Sequence, residues 1–348
     1  MNDYPLNVST LTKFLGKLPI GISLGNEGVR LNSFRLHDYT TEHDLYLLSF
    51  YGDAEEEREL DFLQMCCSFL PLIIDTIDGY PIKDLALKLN TTPGRLIRNM
   101  YACDILCILL NIRAANGGLD IAFGDICPVC GTKNQDKPEL GLCHSLEGVE
   151  ITYVKNECQH LNVALEESIS YQGSMLDSIL LRPMLFEQFA MMMSDNPSSL
   201  QIDVNHLLSQ GATLEHFRGI RSLRDRNTLI KASKHLSRLG PEMEIAVDMK
   251  CRSCSHEWES WLGYDSMLQF YRDLLKPPSR NYLDDVVFFL TFGEQAPCKS
   301  IEEAKKIPVR QRDAIVKRLS EAYEKQKKDM EDSSRKSRGK GTTTKQTY

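Results

Sequence analysis

Apolar and polar positions alternate in short runs near the start of the chain. Residues 20–37 (IGISLGNEGVRLNSFRLH) read as short strands around a Gly-Asn turn. From Thr41 the period becomes helical, through Leu45, Leu47, Leu48 and Phe50. Thr41 is the expected N-cap, with Glu42 and Asp44 in the first turn. Residues 59–78 predict a second helix with Leu60, Leu63, Cys67 and Leu70 on one stripe, kinked or ended by Pro71. Residues 82–90 and 93–114 form a helix–turn–helix pattern. Its second helix is apolar nearly all round at Ile105–Leu110, as suits the central helix of a helical domain, and Asn116-Gly117-Gly118 ends it.

Strand-like alternation returns at LDIAFGDI, at Val149–Val154 and at Glu244–Met249, and again in the SHEWESWLG segment that follows. Helices are expected at 183–193 with Pro183 at the start, at 203–209, at 213–239 with Gly240-Pro241 as the stop, at 265–275 and at 282–292. A last amphipathic helix spans about 309–330, with Ile315, Leu319, Tyr323 and Met330 near helical spacing. So narrow a stripe needs a neighbour. That neighbour is either a partner protein, which makes the helix a docking element, or the chain's own 282–292 segment.

Two of these strands run into cysteine pairs. Cys127-Pro-Val-Cys130 and Cys251-Arg-Ser-Cys254 have the spacing that turns two thiolates of one tight turn toward one metal ion. Four thiolates in a tetrahedron make a closed, structural zinc site with no open position for water. The ligands are therefore Cys127, Cys130, Cys251 and Cys254, and the cofactor is a structural Zn2+. The 120 residues between Cys130 and Cys251 make this a split zinc ribbon, which loop-closure entropy tolerates because its cost grows slowly with length. Four buried or free thiols is the plain alternative. A redox-active pair fits less well, since nothing here resembles a thioredoxin strand–helix start. Cys143-His144 and Cys158/His160 lie between the pairs and could hold a second metal. Their irregular spacing favours ordinary surface or core residues. His256 reads as a neighbour of the site or an exposed residue rather than a ligand.

The fold class that follows is mainly α with a small β zinc ribbon (α+β). Its parts are an N-terminal strand plus helical domain at 1–120, the split ribbon at 121–131 and 244–264, and a mostly helical insert at 132–243. A C-terminal helical segment at 265–332 and a disordered basic tail at 333–348 complete the chain.

Composition narrows the function. The 348 residues are 42% hydrophobic, enough for a sizeable core and roughly two domains. Eleven cysteines without a secretion-type N-terminal signal point to a reducing compartment, and no apolar run is long enough to span a membrane. The formal net charge is −7, and the tail carries Arg335, Lys336, Arg338, Lys340 and Lys345 with no acid, so the body before it is more acidic still. That balance argues against a general nucleic-acid surface. The one DNA-reader-like segment, 82–114, offers Lys88, Arg95 and Arg98 to phosphates. Its second helix runs on into the apolar Ile105–Leu110 stretch, which favours a packed hairpin. There is no Gly-x-Ser-x-Gly, phosphate-binding glycine loop or His-Glu-x-x-His. Asp104 inside the apolar helix is expected to be a satisfied core residue bonded to backbone or to an Arg, with a buried functional acid as the sharper reading. Met191–Met193 reads as adaptable core or a partner face.

Four stretches carry a resemblance: VRLNSFRLHDYTTEHDLYLLS, MYACDILCILLNIRAANGG running into CPVCG, GPEMEIAVDMKCRSCSHEWE, and LDDVVFFLTFGEQ followed by IPVRQRDAIVKRLSEAYEKQKKDME. Together they cover about half the chain, and in layout it resembles the baseplate-hub family of T-even-like contractile-tailed bacteriophages. The resemblance implies a non-enzymatic structural or assembly protein of the tail baseplate, made in the host bacterial cytoplasm and residing in the virion. Its partners would be other baseplate or tail proteins, with no small-molecule substrate. The alternative from the residues is a zinc-ribbon nucleic-acid-binding regulator using 82–114. An enzyme ranks last.

Overall fold

The computed structural model describes residues 4–7, 15–24, 29–51, 62–115, 120–121, 124–135, 144–145, 150–154, 161–171, 174–192, 223–233, 235, 242–261, 275–293 and 296–338. In chain order these form β1 (Tyr4–Asn7), β2 (Leu15–Leu24), β3 (Val29–Leu36), α1 (Thr41–Tyr51), α2 (Phe62–Ile73), β4 (Ile74–Ile77), β5 (Tyr80–Pro81), α3 (Ile82–Lys88), α4 (Pro93–Asn99) and α5 (Ala102–Ala115). Then come β6 (Asp120–Ile121), β7 (Gly124–Ile126), β8 (Lys133–Gln135), β9 (His144–Ser145), β10 (Glu150–Val154), β11 (Leu161–Tyr171) and β12 (Ser174–Leu181). The last elements are α6 (Phe186–Met192), α7 (Leu223–Ser233), β13 (Glu242–Lys250), β14 (Glu257–Trp261), α8 (Arg280–Phe292), α9 (Ile301–Lys306) and α10 (Val309–Arg338). The architecture is mixed α+β. The chain divides into two compact units: Met1–Tyr39 with Tyr46–Pro277, and Thr40–Leu45 with Pro278–Tyr348.

In the larger unit, β2-β3-β4-β5 form an antiparallel sheet against which α5 packs through β2. As expected of a central helix, α5 is buried at every position from Ile105 to Ile112. Asp104 at its start is fully buried and satisfied. Its carboxylate accepts the Ile20 N–H at 2.8 Å and the Gly21 N–H at 3.0 Å, where the β2–β3 register shifts between Lys17 and Ile22. Gly21 holds a φ of +83° there, and a Cβ would meet the Leu31 carbonyl oxygen at 2.5 Å. Burial pushes the Asp104 carboxyl up to about 7, against the pull of those two N–H groups and of Arg30.

Several elements differ from the sequence expectation. The helix expected over 59–78 ends at Ile73, two residues past Pro71, and Ile74–Ile77 pairs with β3 instead. Its Ile74 and Ile77 are both buried, so strand pairing satisfies a backbone that the apolar run alone could not assign. The single helix expected over 93–114 is two. The chain breaks at Met100–Tyr101, where the Met100 carbonyl accepts the Phe186 N–H and the Ala102 N–H reaches the Met184 carbonyl. Backbone pairing with a distant segment overrides local helix propensity there. Thr40, one residue before the expected Thr41, closes the start of α1. Its carbonyl accepts the His43 and Asp44 N–H groups, and its own N–H donates to His43 Nδ1 at 3.0 Å.

Between the cysteine pairs, the described residues are richer in strand than the helical expectation. β11 and β12 form an antiparallel hairpin covered by α7, with Val163, Ile169, Leu229 and Ala232 buried between them. The helix expected at 203–209 lies outside the described residues, as do 262–274 and with them nearly all of the helix at 265–275. The expected Gly25-Asn26, Asn116-Gly117-Gly118 and Gly240-Pro241 breaks also lie outside.

The smaller unit packs α8, α9 and the start of α10 around Val286, Val287, Leu290, Cys298 and Ala304. α10 runs eight residues beyond the expected end at 330, so the segment expected as disordered from 333 begins as helix up to Arg338; the remainder of the tail lies outside the described residues. No described helix is long and apolar enough to cross a membrane.

Candidate metal centre

Each cysteine pair sits at the tip of a two-stranded antiparallel hairpin. β7 pairs with β8 so that Ile126 faces Lys133, and β13 pairs with β14 so that Lys250 faces Glu257. The chain between these partners makes the same turn twice. The Cys127 N–H donates to the Thr132 carbonyl at 2.9 Å, and the Gly131 N–H returns to the Cys127 carbonyl at 3.0 Å. The Cys251 N–H donates to the His256 carbonyl at 2.8 Å, and the Ser255 N–H returns to the Cys251 carbonyl at 2.9 Å. The residue after each second cysteine carries a left-handed backbone, with φ of +68° at Gly131 and +58° at Ser255. Glycine adopts this freely, whereas a serine pays about 1–2 kcal/mol in steric strain.

The second hairpin reaches the site through a four-stranded sheet, β1-β10-β13-β14. Alternation along β13 explains its placement. Met249, opposite Trp258, is buried, while its neighbours Asp248 and Lys250 are exposed.

The two turns bring Cys127, Cys130, Cys251 and Cys254 together with all four sulfurs within 4.8 Å of one another. Across the site, Cys127 Sγ lies 3.6 Å from Cys254 Sγ and Cys130 Sγ lies 3.4 Å from Cys251 Sγ. Tetrahedral zinc with Zn–S bonds of about 2.3 Å places its sulfurs about 3.8 Å apart. The four sulfurs therefore lie close enough to one another to hold a single metal ion. Cys127 and Cys251 are buried, and Cys130 and Cys254 are exposed.

The four thiols sit in unequal electrostatic surroundings. The Cys254 N–H, 3.5 Å from Cys251 Sγ, pulls that thiol down to about 6, and the Ser253 N–H at 3.4 Å adds to it. Cys130 is lowered by Thr132, whose Oγ1 lies 3.2 Å from its sulfur. Cys254 feels the His256 backbone N–H, yet partial desolvation beside the three facing sulfurs, and hydrogen bonding with them, push it up to about 12. Four clustered sulfurs cannot all shed their protons unless a positive ion shares the site.

All four sequence-predicted ligands thus meet in one cluster. His256 lends its backbone carbonyl to the second turn, and its ring stacks on Trp258 at 6.1 Å between centroids. Cys143, Cys158 and His160 lie outside the described residues, and His144 is paired in β9 opposite Ile121. Thr132 and Ser255, which shape the turns, were not singled out from sequence. Aligning the two pairs as C-x-x-C-G-T and C-x-x-C-S-H, with small residues at the left-handed position, would have found them.

Two of the three basic residues singled out in 82–114 have partners within the chain. Arg98 pairs with Glu187 at 3.3 Å and Lys88 lies 3.8 Å over the Tyr80 ring, while Arg95 is exposed. The Met191–Met193 side chains lie outside those described. No protein-family model, curated protein or solved structure matches this chain.

Proposed function

We propose that the four cysteines hold one structural zinc ion as a split zinc ribbon, and that the chain acts through protein–protein contacts, without catalysis, as a structural or assembly component. The observation that carries the zinc is the convergence of two identical turns, 120 residues apart in sequence, on one cluster of four sulfurs. A closed four-thiolate site serves folding, because it leaves no coordination position for substrate. Metal binding at such a site is itself folding energy, on the order of 10 kcal/mol in zinc-finger peptides.

The resemblance to the baseplate-hub family of contractile-tailed phages supplies the rest of the reading: tail and baseplate proteins as partners, synthesis in the bacterial cytoplasm and residence in the virion. The regulator reading through 82–114 is the weaker one, since Arg98 and Lys88 already have partners within the chain and α4 ends at Asn99.

Metal analysis of purified protein tests the centre. One zinc per chain, lost when Cys251 and Cys254 are both changed to Ser, supports it, and a metal-free chain overturns it. Co-sedimentation with purified phage tails tests the placement. Salt-sensitive binding to duplex DNA, abolished by Arg95→Ala with Arg98→Ala, would replace it with the regulator.

A further inference from the structure

We infer that the four-sulfur cluster is a peroxide-responsive staple. Oxidation releases the metal while joining Cys127 to Cys254 and Cys130 to Cys251, so that the two hairpins stay connected. This rests on the proposed zinc centre and adds to it a second, covalent state of the same residues.

Three observations carry the inference. Among the described cysteines, the exposed ones are Cys130 and Cys254, one from each turn. An oxidant in solution therefore meets the cluster before it meets the buried thiols of Cys66, Cys107 or Cys298. Next, each exposed sulfur has a buried sulfur of the opposite turn beside it, Cys251 at 3.4 Å from Cys130 and Cys127 at 3.6 Å from Cys254. Finally, each turn is closed by its own pair of backbone hydrogen bonds, which fix the local geometry of its two cysteines.

The chemistry follows in two steps at each pair. The exposed thiolate attacks a peroxide oxygen, so that an S–O bond forms, the O–O bond breaks, and hydroxide leaves and takes a proton. The buried thiolate opposite then attacks the resulting sulfenic acid. An S–S bond forms, the S–O bond breaks, and the oxygen leaves as water after protonation. Each pair gives up two electrons to one hydrogen peroxide, consuming two protons and yielding two waters. Both pairs together use about two peroxides per zinc released. A zinc ion has no affinity for the disulfides that remain, because its ligands are thiolates.

The cross-site pairing is what distinguishes this staple from simple oxidative damage. Links within a turn, Cys127 to Cys130 and Cys251 to Cys254, would part the hairpins as the metal leaves. Links across the site keep 121- and 127-residue separations closed.

The experiment titrates the purified, zinc-loaded full-length chain with hydrogen peroxide. It follows zinc release with a chromogenic chelator and maps disulfides by peptide mass spectrometry without reduction. The expected result is half-maximal release near one peroxide per chain, with the Cys127–Cys254 and Cys130–Cys251 peptides as the main cross-links. Thiol reductant plus zinc should restore the starting metal content. Cross-links confined within each turn, sulfinic or sulfonic acids without cross-links, or release that reductant and zinc do not reverse would overturn it. Mapping is repeated on the metal-free chain. Cross-site links there, in a protein that never takes up zinc, would sustain the pairing while removing the zinc reading.

Discussion

Arg312 Nη1 donates to Asp44 Oδ2 at 2.8 Å, joining residues 268 positions apart, and both side chains are almost wholly buried. The same nitrogen reaches Thr41 Oγ1 at 3.3 Å, and Nε donates to Asp313 at 2.8 Å. Through this pair the short segment Thr40–Leu45 becomes part of the C-terminal unit. The Thr40–Pro308 β-bridge closes the same junction from the backbone.

A buried ion pair is costly to break and cheap to replace whole, because removing one partner leaves the other charge desolvated. Arg312→Met should therefore destabilise the protein by about 3–5 kcal/mol, and adding Asp44→Leu should recover most of that loss. Denaturant unfolding of the two variants checks it. A single variant within about 0.5 kcal/mol of the parent would show that the pair does not hold the unit together.

Asp104 predicts a pH dependence. Its folded-state pKa is raised from 3.8 to about 7, mainly by burial, so the folded chain holds a proton that the unfolded chain has released. Stability contributed at this site is fully present below about pH 4. It declines as pH rises toward 7 and is constant above that, a total change on the order of a few kcal/mol. Asp104→Asn cannot titrate and should flatten the slope between pH 4 and 7 while leaving the acid limb in place. Unfolding free energies measured across that range decide it. An unchanged slope in the variant would move the raised pKa elsewhere.

The cysteine cluster was legible because spacing alone encodes a turn. C-x-x-C fixes two ligands locally, and four thiolates leave few chemical alternatives. α5 was equally legible, because an apolar run on every face can only be interior. What escaped was non-local. Nothing near Met100 says that its carbonyl will accept the Phe186 N–H, and nothing near Ile74 says that it will pair with β3. Arg312 hid for a related reason. In a helix rich in Lys and Arg it reads as solvated, and only its place on the Val309–Val316 face, matched to Asp44 far upstream, marks it as buried.

Ser255 offers a stabilising change. It occupies the left-handed position that Gly131 fills in the first turn. Ser255→Gly removes the Cβ strain and should add up to about 1 kcal/mol, with metal content unchanged. The reverse experiment, Gly131→Val, places a β-branched residue at a φ of +68° and should weaken metal retention against a competing chelator. Equal chelator resistance in parent and Gly131→Val would show that turn geometry does not control the site.

The C-terminal helix divides into two halves with different expected behaviour. α10 is about 45 Å long, whereas the α8 helix beside its start is about 20 Å. Ile315 and Val316 pack against the cluster of Val286, Val287, Leu290, Cys298 and Ala304, so the start of the stripe has a neighbour within the chain. Farther along, Leu319, Ala322 and Tyr323 line a 290 Å3 groove against Phe289, Gly293 and Ala296. Tyr323 and Met330 are 58% and 62% exposed, so the stripe continues past its internal partner. Ile315→Asp therefore buries a charge in the small core and should lower the thermal midpoint by several degrees or unfold the unit. Tyr323→Asp with Met330→Asp touches the solvated half and should leave the circular dichroism spectrum and zinc content unchanged and the unfolding free energy within about 0.5 kcal/mol of the parent. Under the proposed assembly function that double variant should lose co-purification with tail components, because aromatic and Met side chains exposed in a row are what protein interfaces use. Full co-purification by a normally folded Tyr323→Asp, Met330→Asp chain would exclude this half of the helix from the partner interface. A collapsed melt would place both residues in the core instead.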